Sequence, residues 1–299
     1  MINPAIYVLG NFDGVHLGHK ALIAHARALG AGKDMAVAVL TFEPHPRQFF
    51  APGLPPFRLT TPAQKAEFLD EAGADVIQVM NFDGALAAIP AQDFAEKILV
   101  ECGAKVVVAG EDFRFGHDRH GDMERMAGWL KPHGVDVVAL PPVRDAQGQR
   151  YAASTARALL QSGQVRAANA ILGREWAIRG IVGRGDRRGQ ALGFPTANIM
   201  LGEYLRPQYG VYAIRARQHR RGESGEWIGG VANIGRRPTV GGEREWLEAH
   251  LFDFAADIYD QEWDIALVDF IRPERKFSGL DELRAAIAED VAVAKALRQ

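Results

Sequence analysis

Residues 5–19 read AIYVLGNFDGVHLGH, and this stretch decides the fold of the first part of the chain. The apolar run Ala5–Leu9 predicts a buried β-strand, and the pattern that begins near His19 predicts a helix. The turn between them would present backbone N–H groups and the positive end of a helix dipole, an arrangement that binds phosphate. Gly14 and Gly18 allow the backbone to approach a ligand closely.

Outward from this stretch, β-rich runs and helical patterns alternate through the first 150 residues. The predicted strands are Ala5–Leu9, Met35–Phe42, Asp75–Val79, Lys105–Ala109 and Val135–Leu140. The predicted helices begin near His19 and at Thr61-Pro62, and cover Ala91–Cys102 and Asp122–Pro132. Such alternation predicts a parallel, Rossmann-like α/β sheet, in which ligands bind beyond the carboxyl ends of the strands.

After about residue 175 the helical periodicity gives way to short strands separated by Gly- and Pro-rich turns. The predicted strands are Trp176–Val182, Val211–Arg217, Trp227–Asn233, Trp246–Phe252 and Trp263–Phe270. This spacing is typical of a small antiparallel β-barrel or sandwich, and Leu280–Leu297 predicts a terminal amphipathic helix. We expect two domains, residues 1–174 and 175–299.

Composition excludes several classes of protein. A chain of 299 residues that is 47% hydrophobic, with net charge −2, is neither disordered nor too short for two cores. Its single cysteine, Cys102, excludes a disulfide scaffold. No apolar run approaches the length of a membrane span, and the N-terminus lacks the features of a signal peptide. We therefore expect a cytoplasmic protein that does not enter membranes.

Charge is distributed unevenly along the second domain. Residues 179–244 contain 12 arginines, no lysine and five acids, whereas residues 245–299 contain 13 acids and six bases. Two explanations stay open at this stage. The two segments could pair within one fold, or some of the arginines could hold phosphates, which suit the planar guanidinium group.

Two imidazoles, His16 and His19, follow the first turn and can donate hydrogen bonds to phosphate oxygens where charge accumulates during group transfer. Asp13 could orient a histidine or help to place a metal ion. A bare His-x-x-His pair would equally suit a helix cap and a surface residue. The whole pattern Gly10–His19, directly after a strand, resembles the flavin-specific branch of the nucleotidylyltransferases, the FAD synthetase module.

This resemblance implies a set of roles. His16 and His19 would be catalytic, and the acceptor phosphate would attack the α-phosphorus of ATP directly, with loss of pyrophosphate. The implied ATP-binding residues are Asn11, Asp13, Gly14, Gly18, Ser154, Thr155 and Arg157. The implied flavin-binding residues are Phe42, Pro44 and His45 of TFEPHP (41–46), and Asp112 and Phe113 of GEDFRFG (110–116).

One stretch departs from that family. Its members usually carry Ser-Ser-Thr followed two residues later by Ile-Arg, whereas this chain has Ala152 and Ala153 in place of two hydroxyls and keeps Arg157. Each lost charge-assisted hydrogen bond would cost roughly 1.5–3 kcal/mol. An alternative is therefore a riboflavin kinase whose adenylyltransferase domain is weak or inactive.

The second motif reads GRGDRRGQALGFPTAN over residues 183–198. Glycines expose backbone N–H groups to phosphate without a Walker loop. Thr196 and Asn198 point to one face if the chain is extended, and their side-chain oxygens suit Mg²⁺. A glycine-rich hairpin with a polar face would look similar if Pro-Thr-Ala-Asn did not follow it. The motif resembles the ATP-binding segment of riboflavin kinase.

Further residues follow this second resemblance in the family's order. The implied ATP-binding residues are Gly183, Gly185, Arg188, Gly193, Pro195, Thr196 and Asn198, with Thr196 and Asn198 also holding the metal ion. Glu248 would be the base that accepts a proton from the ribityl 5′-hydroxyl. Arg272 and Phe277 would lie beside the flavin.

Together the motifs resemble the bacterial bifunctional riboflavin kinase/FMN adenylyltransferase. That implies ATP as co-substrate, Mg²⁺ as cofactor, and riboflavin, FMN and FAD as substrates or products, in a monomer or weak homo-oligomer without nucleic-acid partners. The alternative in which the chain is not an enzyme is a flavin carrier or an RNA-binding barrel. It is disfavoured because the basic residues lack the interleaved aromatic platform of a single-strand binder.

Overall fold

A computed structural model of the protein describes residues 5–183, 196–220, 225–239 and 242–297. Contacts divide the chain into two units. The first unit is Met1–Pro55 with Pro62–Ala153, and the second is Pro56–Thr61 with Ser154–Gln299. The short stretch Pro56–Thr61 therefore belongs to the second unit by its contacts, although it lies within the first part of the sequence.

The first unit contains the parallel sheet that the sequence predicts. Its strands are β1 (Ala5–Leu9), β2 (Ala36–Glu43), β3 (Val76–Asn81), β4 (Ala104–Gly110) and β5 (Asp136–Leu140). They pair in parallel in the order β3-β2-β1-β4-β5. Side chains of β1 alternate between two cores, with Tyr7 in one and Ile6 and Val8 in the other. A central parallel strand is buried on both faces, which is why β1 is a continuous apolar run.

Six α-helices flank this sheet in the described part of the first unit. They are α1 (Leu17–Gly30), α2 (Pro46–Phe50), α3 (Pro62–Glu71), α4 (Gly84–Ala87), α5 (Ala91–Asp93) and α6 (Met123–Leu130). The helix predicted over 91–102 begins as α5 and continues as a π-helical turn over Phe94–Leu99. Asp122 caps α6, since its side chain accepts a hydrogen bond from the backbone N–H of Arg125.

The sheet order places the first motif at a ligand-binding position. β1 lies between β2 and β4, so the strand order reverses there. In open α/β sheets, ligands bind outside the carboxyl ends of the strands at such a reversal. The turn after Leu9 leaves β1 at this point and leads directly into α1.

The second unit contains a six-stranded antiparallel sheet that closes into a barrel. Its strands are β6 (Trp176–Ile181), β7 (Ala197–Met200), β8 (Gly210–Gln218), β9 (Ile228–Thr239), β10 (Gly242–Leu251) and β11 (Glu262–Pro273), in the order β6-β11-β8-β9-β10-β7. The backbone N–H of Gly183 donates to the carbonyl of Asn198 at 2.8 Å, which joins the two ends of the sheet. A Cβ at Gly180 would lie 2.5 Å from Ile199 Cγ2, so a glycine permits this close approach.

Three helices complete the described part of this unit: α7 (Ala153–Gln161), α8 (Val165–Leu172) and α9 (Leu280–Ala296). The predicted fold class is confirmed: a parallel α/β unit, an antiparallel barrel and a terminal helix. No helix in residues 5–183, 196–220, 225–239 or 242–297 is long and apolar enough to cross a membrane.

Pro56–Thr61 attaches to the barrel through backbone and side-chain hydrogen bonds. Arg58 N donates to the Glu203 carbonyl at 3.2 Å, and Leu205 N donates to the Arg58 carbonyl at 2.8 Å. The indole N–H of the buried Trp176 donates to the Leu59 carbonyl at 2.7 Å. The functional boundary between residues 174 and 175 stays a prediction.

Candidate active sites

The turn after β1 has a backbone suited to binding an anion. Phe12, Gly14 and Val15 adopt positive φ angles of 52°, 79° and 37°, and Val15 N donates to the Phe12 carbonyl at 3.1 Å. α1 carries no acidic residue in its first turn. No carboxylate of the helix itself therefore neutralises its N-terminal dipole, which can act on a bound phosphate.

His16 and His19 stand together at the start of α1. Their rings stack with centroids 3.6 Å apart and planes 23° from parallel, and the His19 ring packs against Phe12 at 4.9 Å. A Cβ at Gly18 would lie 3.0 Å from the His16 ring and from the Tyr151 carbonyl, so Gly18 makes room for the imidazole. His16 and Asp13 are both buried. Within the first unit, the structure thus brings the predicted catalytic imidazoles together.

The predicted flavin-side residues follow the carboxyl end of β2. The Glu43–Pro44 peptide bond is cis. His45 is buried and caps α2, since its Nδ1 accepts a hydrogen bond from Arg47 N at 3.1 Å. Phe42 packs edge-on against Phe82. This turn leaves the sheet from the strand next to β1, so both turns lie at the same edge of the sheet.

The segment after β4 supplies a second group of polar and aromatic side chains. Asp112 accepts a hydrogen bond from Arg150 Nη2 at 2.6 Å. Phe113 stacks on Phe115, with centroids 5.7 Å apart. No sequence pattern indicates Arg150, because only the fold brings it beside a residue 38 positions earlier in the chain.

Ser154, Thr155 and Arg157 belong to the second unit, in the first turns of α7. Arg157 Nε donates to the Phe57 carbonyl at 2.8 Å, and the guanidinium lies over the Phe57 ring at 5.4 Å. Arg157 therefore makes contacts that hold Pro56–Thr61 to α7 within the second unit. Its predicted contact with ATP stays a prediction.

The predicted kinase residues form a row across the barrel strands. Glu248 on β10 lies directly opposite Asn198 on β7 and Asn233 on β9. Residues opposite each other in neighbouring strands project from the same face of a sheet. The amide of the buried Asn198 is oriented by a hydrogen bond from its Nδ2 to the Thr196 carbonyl at 3.3 Å. Gly183 joins this row through its backbone bond to Asn198.

The chemistry of these donors fits a hard cation. The predicted metal ligands Thr196 and Asn198 both carry side-chain oxygen donors, and Mg²⁺ is bound through oxygen. The other predicted ATP-binding residues of this unit, Gly185, Arg188, Gly193 and Pro195, lie outside the described residues.

Arg272, predicted to lie beside the flavin, is held by the terminal helix. Its Nε and Nη2 donate to the two carboxylate oxygens of the buried Asp290 at 2.8 and 2.7 Å, and its Nη1 donates to the Pro273 carbonyl at 3.2 Å. The guanidinium lies 5.7 Å from the centroid of Phe277. The two predicted flavin-side residues are therefore in contact, and Asp290 is a supporting residue that no sequence pattern indicates.

Several arginines of residues 179–244 pair with acids of the same unit. Arg179 makes a bidentate ion pair with the buried Asp264, with a shortest distance of 2.6 Å. Arg206 Nε lies 2.6 Å from Glu245 Oε2. Partial burial acts to raise the pKa of Glu245, but hydrogen bonds from Tyr209 and Arg206 outweigh it and hold that pKa below its ordinary value of 4.5. These pairs favour the explanation that the two segments neutralise each other in one fold.

Comparisons with known proteins agree with this architecture. The family model for FAD synthetase matches residues 2–155, and that for riboflavin kinase matches residues 172–298. A bifunctional riboflavin kinase/FMN adenylyltransferase from Escherichia coli K12 is 38% identical over 291 residues, which cover 97% of this chain and 91% of the relative. The Bacillus subtilis protein of the same name is 35% identical over 291 residues, covering 96% of this chain and 90% of the relative.

A solved structure shares the whole fold. The crystal structure described as a macrolide-efflux protein from Streptococcus pneumoniae superposes with a TM-score of 0.88 at 29% identity, covering 99% of this chain and 95% of that chain. Two matching family models and relatives of 35–38% identity along almost the whole length decide the assignment. This chain belongs to the bifunctional riboflavin kinase/FMN adenylyltransferase family.

Proposed function

We propose that the chain converts riboflavin to FAD in two steps at two separate sites. The barrel unit transfers the γ-phosphoryl group of ATP to riboflavin and releases FMN and ADP. The parallel α/β unit joins FMN to the adenylyl group of ATP and releases pyrophosphate. The observation that carries this proposal is the row Asn198–Glu248–Asn233 on the barrel, found in the same chain as the stacked imidazoles His16 and His19.

In the kinase step, Glu248 is proposed to accept the proton of the terminal ribityl hydroxyl as that oxygen attacks the γ-phosphorus. A carboxylate suits this role if it reaches the hydroxyl within hydrogen-bond distance. Thr196 and Asn198 would hold Mg²⁺, which supplies neutralisation of phosphate charge when it is bound. The strands give this site its rigidity, because Asn198 and Glu248 are fixed in register by backbone pairing.

In the adenylyl-transfer step, the chain would need no nucleophile of its own, because the FMN phosphate attacks the α-phosphorus of ATP. The backbone N–H groups of Gly10–His19 and the N-terminus of α1 would receive the phosphates. His16 and His19 would donate hydrogen bonds to oxygens on which charge develops. Asp112 and Phe113, together with the turn after β2, are proposed to bind the flavin.

The alternative of an inactive adenylyltransferase rests on Ala152 and Ala153 alone. The FAD synthetase model matches this chain through residue 155 and so includes both positions. Within residues 5–55 and 62–153, which the structure describes, no contact favours a loss of activity.

We further propose that the metal ion is Mg²⁺, and that the protein is a cytoplasmic monomer or weak homo-oligomer without a nucleic-acid partner.

A single assay tests this function. The full chain is incubated with ATP and Mg²⁺ and with either riboflavin or FMN, and the flavins are separated by chromatography while pyrophosphate is measured. We expect FMN and then FAD from riboflavin, and FAD with an equal amount of pyrophosphate from FMN. Formation of FMN without FAD would instead support the kinase with an inactive adenylyltransferase.

A further inference from the structure

A buried lysine lies beneath the flavin-side turn of the first unit. Lys65 is on α3 and is only 3% exposed. Its ammonium group contacts three consecutive residues at the end of β2: Nζ lies 2.6 Å from Glu43 Oε1 and donates to Thr41 Oγ1 and to the Phe42 carbonyl, each at 3.2 Å. Each of these oxygens can accept one of the hydrogens of an ammonium group.

Thr41 extends this network to the nucleotide turn. The Thr41 hydroxyl accepts a hydrogen bond from Lys65 and donates one to the Asn11 carbonyl at 3.2 Å. Asn11 belongs to the turn proposed to hold ATP, whereas Glu43 directly precedes the Pro44-His45 pair on the flavin side. One buried ammonium group therefore connects the turn proposed to hold ATP with the turn proposed to hold the flavin.

Stability alone is a poor explanation for a charge in this place. Removing an ammonium group from water is costly, and replacing a buried ion pair with well-packed apolar side chains is often neutral or stabilising. The acceptors of Lys65 moreover belong to the carboxyl end of β2, at the edge of the sheet where the proposed ligand-binding turns lie. Nucleotidyl transfer requires the attacking oxygen in line with the leaving group, and a misplacement of about 1 Å can cost about 100-fold in rate.

We propose that Lys65 is a positioning residue for adenylyl transfer, acting through Thr41 and Glu43 to fix the flavin-side turn relative to the nucleotide turn. This inference rests on the proposed function of the first unit. It predicts that loss of the ammonium group impairs the turnover of bound substrates and leaves phosphorylation of riboflavin by the other unit unchanged.

The test compares the full chain with Lys65→Met, Lys65→Arg and Lys97→Met. Lys97 is a matched control, because it is an exposed lysine of the same unit that pairs with Asp93 at 3.0 Å. Each protein is assayed for FAD formation from FMN and for FMN formation from riboflavin, and its thermal unfolding is measured. We expect Lys65→Met to lower kcat for FAD formation about 100-fold with the kinase rate unchanged. Lys65→Arg should keep part of the kcat for FAD formation that Lys65→Met loses. Lys97→Met should have the same kcat as the unmodified chain.

A second variant separates positioning from a general loss of structure. Thr41→Val removes the hydroxyl link to Asn11 and leaves the Lys65–Glu43 pair in place. If Lys65 acts through Thr41, the Thr41→Val variant also has a lower kcat for FAD formation. The double variant with Lys65→Met should then show a smaller reduction in kcat than the product of the two single reductions. If Lys65→Met fails to fold, Thr41→Val alone decides, and an unchanged kcat would overturn the proposal.

Two results would contradict the positioning role. One is a folded Lys65→Met variant that forms FAD with unchanged kcat. The other is a variant in which only the KM for FMN rises, since that would make Lys65 part of flavin binding alone. Failure of the unmodified chain to form FAD is a different outcome, because it contradicts the proposed adenylyl transfer itself and removes the basis of this inference.

Discussion

Glu248 lies directly opposite Asn198 in the antiparallel pairing of β10 with β7. The proposed base and a proposed metal ligand are thus held by neighbouring strands and share one face of the barrel. Asn233 is opposite Glu248 on the other side, and its Nδ2 donates to Glu274 Oε1 at 3.3 Å. Groups held by strands are placed more accurately than groups on loops, so the kinase site depends little on loop movements for the position of its base.

Removing the proposed base should stop one reaction and spare the other. We expect Glu248→Gln to lower riboflavin phosphorylation by about 100- to 10,000-fold, the usual contribution of general acid–base catalysis. FAD formation from supplied FMN should be unchanged, because Glu248 belongs to the barrel unit. Steady-state rates of the two reactions on one preparation check this. A kinase rate within a few-fold of the original would exclude Glu248 as the base.

The reverse result is expected at the stacked imidazoles. His19→Ala removes a hydrogen-bond donor at the N-terminus of α1, where a single donor to a developing charge contributes about 100- to 1000-fold. FAD formation should fall by that factor while FMN formation continues. Lys33→Ala, an exposed change just after α1, is the control. Equal loss of both activities in a folded His19→Ala protein would contradict the assignment.

Glu245 should give the barrel a pH-dependent contribution to stability. Its pKa in the folded state is below 4.5, so the contribution is present above the unfolded pKa and is lost as the pH falls through the folded pKa. Glu245→Gln should therefore be less stable than the unmodified chain at pH 7, and the difference should shrink on acidification. Urea unfolding at pH 7 and at successively lower pH measures it, with the exposed Glu226→Gln as control. A difference that grows towards low pH would contradict this prediction.

The terminal helix is expected to hold Arg272 through Asp290. Removing one partner of a buried ion pair leaves the other charge uncompensated, so Asp290→Ala should cost about 3 kcal/mol of unfolding free energy. Glu289→Ala, the exposed neighbour on α9, should cost far less. Urea denaturation of the two variants gives the comparison. Equal losses of unfolding free energy in the two variants would mean that the Arg272–Asp290 ion pair does not stabilise the protein.

The barrel should depend on Pro56–Thr61. A fragment of residues 154–299 keeps α7 and α8 but lacks Leu59, and would leave the N–H of the buried Trp176 without its acceptor, a loss of about 1–3 kcal/mol. We expect this fragment to unfold at lower urea than the barrel of the full chain. Tryptophan fluorescence reports the transition, because Trp176, Trp227, Trp246 and Trp263 all belong to this unit. Identical midpoints would show that the segment is dispensable.

The structural features that the sequence predicted are those that depend on local patterns of residues. The apolar run of β1 and the turn into α1 follow from residues close together in the chain, and so does the helix predicted over Asp122–Pro132. The sequence did not predict the four-residue strand β7, which is too short for its own signal and exists because β10 pairs with it. Nor could it predict that Arg58 and Leu59 form hydrogen bonds with residues more than 100 positions further along the chain. The Lys65–Glu43 and Arg272–Asp290 pairs likewise depend on tertiary contacts that no spacing encodes.

The central claim is that one chain carries two independent active sites, and a mixing experiment tests it most directly. Over an assay time set by the unmodified chain, Glu248→Gln should make almost no FMN from riboflavin, and His19→Ala should make almost no FAD from the FMN that it forms. The two proteins are mixed with riboflavin, ATP and Mg²⁺, and FAD is followed by chromatography. The account predicts that the mixture forms FAD although neither variant does so alone. A mixture of folded variants that accumulates FMN without FAD, or makes neither product, would contradict it.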